Sequence, residues 1–189
     1  MSLGMKNLTD TEQKIFDWDN ELRFHSMNYS DKQVIEVAQK AIDFAYAKFK
    51  EKEKVYEGYE FEYETKTTNI ALCIDAHLQK NVNNKNSSAI KQFILDVINT
   101  EKYGRGRSGF LYLLYILKMD KELEEIATER KDFWAIPRIR FQLLYALYRR
   151  KIKGFSKEAE QLIQNYPKER ELKKYATKYI EQEAKQGSK

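Results

Sequence analysis

The sequence predicts an all-α protein that is built from antiparallel helix pairs. Three observations predict this fold class: few helix-breaking residues, apolar residues at helical spacing, and capping residues before the apolar stretches. The 189 residues include 7 Gly and 2 Pro, which favours long helices over a turn-rich β-sandwich or barrel. Charged residues make up 33% and aromatic residues 13%, so the chain is too mixed in charge and too aromatic to be disordered.

The first two helices are marked by capping boxes, in which Ser or Thr is followed three residues later by Glu or Gln. Thr9 and Glu12 begin one helix, and Ser30 and Gln33 begin a longer one. We expect Gly58 to end the second helix. Its apolar stripe recurs every three or four residues, as on one helix face, and contains Val34, Ala38, Ala41, Ile42, Ala45 and Phe49.

Residues 59–67 interrupt the helical pattern, because Tyr59, Phe61 and Tyr63 alternate with glutamates. A period of two residues is typical of a strand, but the chain contains no second strand of similar quality to pair with it. We therefore expect an extended connector or a helix end here.

The net charge changes sign at the same place. Residues 1–64 contain 9 Lys and Arg and 14 Asp and Glu, whereas residues 65–189 contain 25 and 15. This division predicts an acidic N-terminal helical part at 5–64 and a basic helical-repeat part at 65–189 within one domain. Residues 1–4 precede a second methionine, and we interpret them as a cloning remnant.

Cys73 and His77 are four residues apart, so they share one face of the next helix. Such a pair suits a nucleophile with its base, or half of a zinc site. Both residues, however, fall on an apolar stripe with Ile70, Ile74 and Leu78, and the chain has 2 His in total. We interpret the pair as core packing, and we predict no catalytic residue, no metal ligand and no cofactor.

The single cysteine cannot form an intrachain disulfide, which is typical of a reducing compartment. The longest apolar run, residues 110–117, is far shorter than the roughly 20 residues that span a bilayer. No charged segment followed by an apolar one opens the chain, as a secretion signal would. We predict a cytoplasmic protein without a membrane partner.

The sequence also predicts helix boundaries after the helix that contains Cys73 and His77. Residues 81–86 are polar and rich in Asn, which predicts a loop. Ser87 or Ser88 is expected to cap the following helix and Gly104 to end it. A last helix is expected from about Pro167 onward.

Residues 87–166 contain a short internal repeat. Leu-Leu-Tyr triplets at 113–115 and 143–145 each precede a Glu-rich helix, at 121–126 and 157–162. Two helices in a period of roughly 30–36 residues are characteristic of helical solenoids. The layout of residues 87–166 resembles divergent HEAT-like helix pairs, which implies a short α-α superhelix.

Paired arginines occupy matching places in the two repeats. In a stack of helix pairs, matching positions line up on one face, and guanidinium groups bind carboxylates or phosphates through paired hydrogen bonds. In the alternative interpretation, the arginines bridge neighbouring repeats through ion pairs and Trp134 fills a gap between helices. The predicted binding residues are Arg105, Arg107, Arg138, Arg140, Tyr112 and Trp134.

Without a catalytic motif, the sequence predicts a non-enzymatic helical-repeat module that binds another protein, as an adaptor, an inhibitor or an immunity-type protein would. The alternative is a nucleic-acid-binding protein that uses the arginine and tyrosine face. Its enzymatic form would resemble HEAT-like DNA glycosylases, because Asp132 and Trp134 lie close to Arg138 and Arg140. The first hypothesis expects arginines that are tied into inter-helix ion pairs or spread over several faces. The second expects them exposed on one face, with salt-sensitive binding.

Overall fold

The computed structural model describes residues 28–52, 59–80 and 87–187, together with isolated positions between 10 and 21. These residues form α-helices and short 3-10 helices, and none of them forms a strand. The all-α prediction is therefore confirmed, whereas the HEAT-like stacking stays a prediction.

Several predictions lie outside the described residues. They are the capping box of Thr9 and Glu12, the helix end at Gly58, the loop at 81–86 and the cloning remnant at 1–4.

The described helices follow one another with short connections. They are α1 (Asp31–Lys52), α2 (Tyr59–Lys80), α3 (Ser88–Asn99), α4 (Ser108–Ile116), α5 (Asp120–Glu129), α6 (Pro137–Arg150), α7 (Ser156–Asn165) and α8 (Arg170–Gly187). The 3-10 helix Glu101–Arg107 precedes α4, and the 3-10 helix Lys131–Trp134 precedes α6.

The chain forms two compact units, Met1–Asp96 and Val97–Lys189. Their boundary falls within α3. The division into an acidic part at 5–64 and a basic part at 65–189 rests on charge alone, and it stays a prediction.

In the first unit, α1 and α2 pack as an antiparallel pair. The ring of Phe49, near the end of α1, stacks on that of Tyr63, near the start of α2, with 5.0 Å between centroids. At the opposite end, the side chain of His77 on α2 contacts Asp31 in the first turn of α1. The predicted apolar stripes are buried here, at Val34, Ala38, Ala41, Ile42 and Ala45 on α1 and at Ile70, Ile74 and Leu78 on α2.

Two predicted helix starts are confirmed by their capping hydrogen bonds. The backbone N–H of Gln33 donates to Oγ of Ser30 at 3.3 Å, and the N–H of Ser30 donates to Oε1 of Gln33 at 2.9 Å. At the start of α3, the N–H of Ile90 donates to Oγ of Ser87 at 3.2 Å. Each bond satisfies a backbone donor that the first turn of a helix leaves unpaired.

Replacing Ser30 with alanine is expected to lower the free energy of unfolding by about 1 kcal/mol, because the Gln33 N–H loses its acceptor. Urea denaturation followed by circular dichroism measures the change. Ser88→Ala is the matched control, since Ser88 is an exposed serine in the first turn of α3. An equal loss in both variants would show that the Ser30 cap contributes nothing.

Residues 59–67 begin α2, so the prediction of an extended connector is wrong. Tyr63 and Thr67 are four residues apart and both buried, which is helical spacing. The hydroxyl of Thr67 donates to the carbonyl of Tyr63 at 3.1 Å, so the polar group is satisfied within the helix. Burial at positions 63, 67 and 70 outweighs the local alternation of aromatic and acidic residues.

The last predicted boundaries shift by a few residues. The helix that Gly104 was expected to end already ends at Asn99, and Gly104, with a φ of 48°, forms a non-helical kink within the following 3-10 segment. Glycine adopts this left-handed conformation without strain. The last helix begins at Arg170, after Pro167.

In the second unit, α6 contacts both α4 and α8, α5 packs on α4 and α6, and α7 packs on α8. Pro137 stands in the first turn of α6, where its missing N–H leaves no backbone bond unmade. The core contains Phe110, Leu111, Leu114, Leu123, Phe133, Ile139, Leu143 and Leu147. Among the helices of the described residues, none is long and apolar enough to cross a membrane.

Candidate functional site

A polar cluster lies in the first unit, where the start of α1 meets the end of α2. Its centre is the contact between His77 on α2 and Asp31 on α1, and Cys73 lies one helical turn before His77 on the same face of α2. Cys73 and His77 are 6% and 0% exposed, so their predicted burial is confirmed. The side chain of Asp31 retains 26% exposure. The site is therefore not purely apolar. A buried polar group needs a hydrogen-bond partner, and the imidazole of His77 has one in the carboxylate of Asp31.

The imidazole of His77 is held by the carboxylate of Asp31, with 2.8 Å between Nε2 and Oδ1. Partial burial raises the pKa of Asp31, but hydrogen bonds from Ser87 and His77 lower it more, and the net pKa lies below the ordinary 3.8. Asp31 is therefore ionised at neutral pH and can only accept a hydrogen bond. It follows that Nε2 of His77 carries a proton and donates it to Asp31.

Cys73 precedes His77 by one helical turn. Residues four apart on a helix have Cβ atoms about 5–6 Å from each other. Helical side chains in general lean toward the N-terminus, so residues four apart on one face are close enough for their side chains to meet. A thiol one helical turn from an imidazole that a carboxylate orients is a spacing that suits activation of a cysteine as a nucleophile.

Ser87 joins a third helix to this cluster. Its hydroxyl accepts from the N–H of Ile90 at the start of α3, and its side chain hydrogen-bonds Asp31. Asp31 thus links the start of α1, the end of α2 and the start of α3. Two donors on one carboxylate fix its position, and the carboxylate in turn fixes the imidazole.

Neither Asp31 nor the second role of Ser87 was predicted from the sequence. Asp31 lies 46 positions before His77, so no local spacing connects them. Its one local signal, an acidic residue in the first turn of a helix, is shared by many helices for electrostatic reasons.

Because Asp31 has a lowered pKa in the folded chain, its ionised form stabilises the fold. This contribution is complete above its ordinary pKa of 3.8 and is lost as the pH falls toward the lower folded-state pKa. We expect Asp31→Asn to remove that part of the acid dependence, so the difference in unfolding free energy between wild type and variant shrinks on acidification. Urea denaturation of both proteins across this range measures it. A difference that is constant with pH would contradict the assignment.

Among the predicted binding residues, Arg107 is buried, with 2% exposure. Its Nε donates to the carbonyl of Gly104 at 2.8 Å, and its guanidinium lies 4.6 Å from the ring centroid of Phe133. These contacts hold the two 3-10 helices of the second unit together.

Arg140, at the equivalent place in the second repeat, is 3% exposed. Its Nη1 donates to the carbonyl of Ala135 at 2.7 Å, and its Nη2 pairs with the carboxylate of Glu169. The guanidinium lies 3.5 Å from the ring centroid of Tyr166. Both buried arginines therefore connect a carbonyl at a 3-10 segment with an aromatic ring.

The other predicted residues have different environments. Arg105 and Tyr112 are half-buried and Arg138 is exposed. Trp134 is buried, and its Nε1 donates to the carbonyl of Ala127 at 3.0 Å. Since Arg107 and Arg140 are buried, the four arginines do not form one exposed face.

Trp134 also lines a cleft in the second unit, between the second 3-10 helix and α7. The cleft has a volume of about 450 Å³. Its lining residues are Lys131, Trp134, Ala135, Lys157, Glu158, Gln161, Leu162, Asn165 and Tyr166. This set contains neither a thiol nor an imidazole, so the cleft holds no counterpart of the Cys73–His77 pair.

Residues 1–127 match a protein family described as "Putative pyroglutamyl peptidase PgaPase_1". The match spans 127 of the 189 residues. The chain belongs to this family. The match contains Asp31, Cys73, His77 and Ser87 and ends before α6. No curated protein and no solved structure matches the chain.

Membership of the pyroglutamyl peptidase family corrects the functional prediction. The prediction of a non-enzymatic helical-repeat module for protein binding, with nucleic-acid binding or a DNA glycosylase as its alternative, is wrong, because the family description is that of a peptidase. The physical reason is that sequence patterns relate only residues that are close together along the chain. The contact between Asp31 and His77 is made only when α1 and α2 pack.

Proposed function

We propose that this chain is a cysteine peptidase that removes an N-terminal pyroglutamyl residue from peptides. One observation carries the proposal: a fully buried His77 is held by Asp31 at 2.8 Å, one helical turn after Cys73. The family description supplies the substrate class, and all three residues lie within the matched part of the chain.

Each residue of the cluster has one role in the proposed reaction. Nδ1 of His77 takes the thiol proton while Sγ of Cys73 attacks the carbonyl carbon of the pyroglutamyl residue. The amide C–N bond then breaks, the leaving amine takes the proton from the imidazolium, and a thioester remains on Cys73. Water, deprotonated by His77, attacks the thioester, which releases pyroglutamate and restores the thiol. The carboxylate of Asp31 orients the ring and stabilises the imidazolium in both halves.

The surroundings of the cluster suit an uncharged acyl group. A pyroglutamyl residue is a lactam, so it lacks the ammonium group of an ordinary N-terminus. The same face of α2 carries the buried Ile70, Ile74 and Leu78. An apolar environment of this kind tolerates a neutral lactam, whereas a buried ammonium would need a carboxylate of its own.

We also propose a cytoplasmic location for this enzyme. A reducing compartment keeps a catalytic thiol such as that of Cys73 free of disulfides.

The test of the proposed function is hydrolysis of a pyroglutamyl amide of aminomethylcoumarin by the purified chain under reducing conditions. Release of the dye is expected, and alkylation of Cys73 with iodoacetamide is expected to stop it. The prolyl amide of the same dye is the matched control, since it has the same ring without the lactam carbonyl, and it should be hydrolysed more slowly. Absence of hydrolysis, or hydrolysis that persists after Cys73 is fully alkylated, would overturn the proposal.

A further inference from the structure

A continuous row of aromatic side chains crosses α4, α6 and α8 in the second unit. Neighbouring ring centroids are 6.0 Å apart for Tyr115 and Tyr145, 5.1 Å for Tyr145 and Tyr175, and 5.7 Å for Phe141 and Tyr175. All members are half-buried, so part of each side chain reaches solvent. The members, called here the aromatic row, are Tyr112, Tyr115, Phe141, Tyr145, Tyr148 and Tyr175.

Three cations border the aromatic row. The guanidinium of Arg149 lies 5.8 Å from the ring centroid of Tyr115, and its Nη2 donates to the hydroxyl of that residue at 3.3 Å. The ammonium groups of Lys174 and Lys178 lie 5.7 Å and 5.6 Å from the ring centroid of Tyr175. Cations this close to ring faces are attracted by the π electrons.

The positive charge beside the row is only partly neutralised. Glu171 pairs with Lys174 at 3.2 Å. Within the described part of the chain, neither Arg149 nor Lys178 forms an ion pair with a carboxylate. The surface therefore offers two cations to an anionic ligand.

The geometry of the rings favours a peptide over a nucleic acid. Tyr145 and Phe141 each meet Tyr175 edge to face, with interplanar angles of 81°, and Tyr115 meets Tyr145 at 77°. Edge-to-face packing covers ring faces with the edges of neighbouring rings. Single-stranded nucleic acids bind by stacking bases on open ring faces. Few ring faces remain open in this edge-to-face packing.

We propose that the aromatic row, with Arg149 and Lys178, binds an extended acidic segment of a partner protein. The rings provide apolar contact area at a small cost in side-chain entropy, and the two cations pair with carboxylates of the segment. Two of the predicted binding residues belong here: Tyr112 is a member of the row, and the exposed Arg138 lies one turn before Phe141 on α6. Six of the eight residues of this surface lie beyond the family match, and none of the eight belongs to the proposed catalytic cluster, so this inference does not depend on the proposed peptidase activity.

The test is a fluorescence anisotropy titration of the full chain with a labelled peptide of alternating Glu and Leu. An acetylated N-terminus prevents the peptide from serving as a pyroglutamyl substrate. We expect binding at micromolar concentrations, and at least about tenfold weaker binding when Gln replaces Glu, because the ion pairs are lost. Arg149→Gln and Lys178→Gln should each weaken binding of the Glu peptide by at least about threefold.

Lys173→Gln is the matched control, because it makes the same change of charge on α8. Lys173 is exposed and lies about 200° around the helix from Tyr175, at roughly 100° per residue. Its replacement should leave the affinity unchanged. Three results would overturn the proposal: equal affinity for the Glu and Gln peptides, an equal loss in Lys173→Gln, or tighter binding of a labelled single-stranded oligonucleotide that Arg149→Gln abolishes.

Discussion

Replacing Cys73 with alanine is expected to lower kcat/KM for the pyroglutamyl amide by at least about a thousandfold, as loss of a catalytic nucleophile does in other hydrolases. Alanine leaves no atom that can form the thioester. Initial rates of dye release at several substrate concentrations measure the effect. Circular dichroism and urea denaturation establish that the variant is folded, which matters because Cys73 is buried.

The Asp31→Asn variant tests the role of the Asp31 carboxylate while the thiol of Cys73 stays in place. The variant retains Cys73 and His77, but the amide at position 31 can no longer stabilise an imidazolium as a carboxylate does. We expect a large fall in kcat with a small change in KM. A folded Cys73→Ala variant with wild-type activity would contradict the assignment of the nucleophile, and an unchanged kcat in Asp31→Asn would contradict that of the orienting carboxylate.

Replacing Arg140 with methionine is expected to lower the free energy of unfolding by about 2–4 kcal/mol, because a buried and paired charge is removed. Methionine preserves much of the apolar stem, so the loss reports mainly on the guanidinium. Its bonds to Ala135 and Glu169 and its contact with Tyr166 all disappear. Urea denaturation followed by tryptophan fluorescence measures the change.

Arg138→Met is the matched control for this prediction. Arg138 is exposed and lies on the same helix, two residues earlier, so its replacement should change the free energy of unfolding by less than about 0.5 kcal/mol. An equal effect in both variants would show that the buried guanidinium contributes no more to stability than an exposed one.

Local signals were enough to predict the fold class. The Ser30–Gln33 capping box forms as expected, because its two partners are three residues apart and depend on nothing else. The apolar stripes are buried as expected, because residues three or four apart share one helix face, which then packs against a neighbouring helix. At 59–67 the alternation of aromatic and acidic residues predicted an extended connector, and this was wrong. Burial of Tyr63 and Thr67 is a tertiary effect that outweighs the local pattern.

The candidate site was visible in part. The spacing of Cys73 and His77 placed them on one helix face, but their apolar neighbours favoured an interpretation as core. Asp31, which distinguishes a held imidazole from a packed one, comes from another helix and is 46 positions away. Sequence spacing along one helix carries no information about such a contact.

The arginine pairs illustrate a different limit of sequence patterns. Arg107 and Arg140 recur at matching places, which predicted a shared surface. Each is instead buried against an aromatic ring, Phe133 and Tyr166 respectively. A repeated arginine therefore marks a repeated packing arrangement as readily as a repeated binding surface, because a long side chain with a planar end suits both.

The most direct test of the catalytic cluster is mass spectrometry of the chain after rapid mixing with a pyroglutamyl ester and quenching in acid. Activated esters acylate a catalytic thiol faster than the thioester is hydrolysed, so the intermediate accumulates. We predict one pyroglutamyl group on the peptide that contains Cys73, and none in the Cys73→Ala variant. Turnover of the substrate without any acylation of Cys73, or acylation at another residue with Cys73 unmodified, would contradict it.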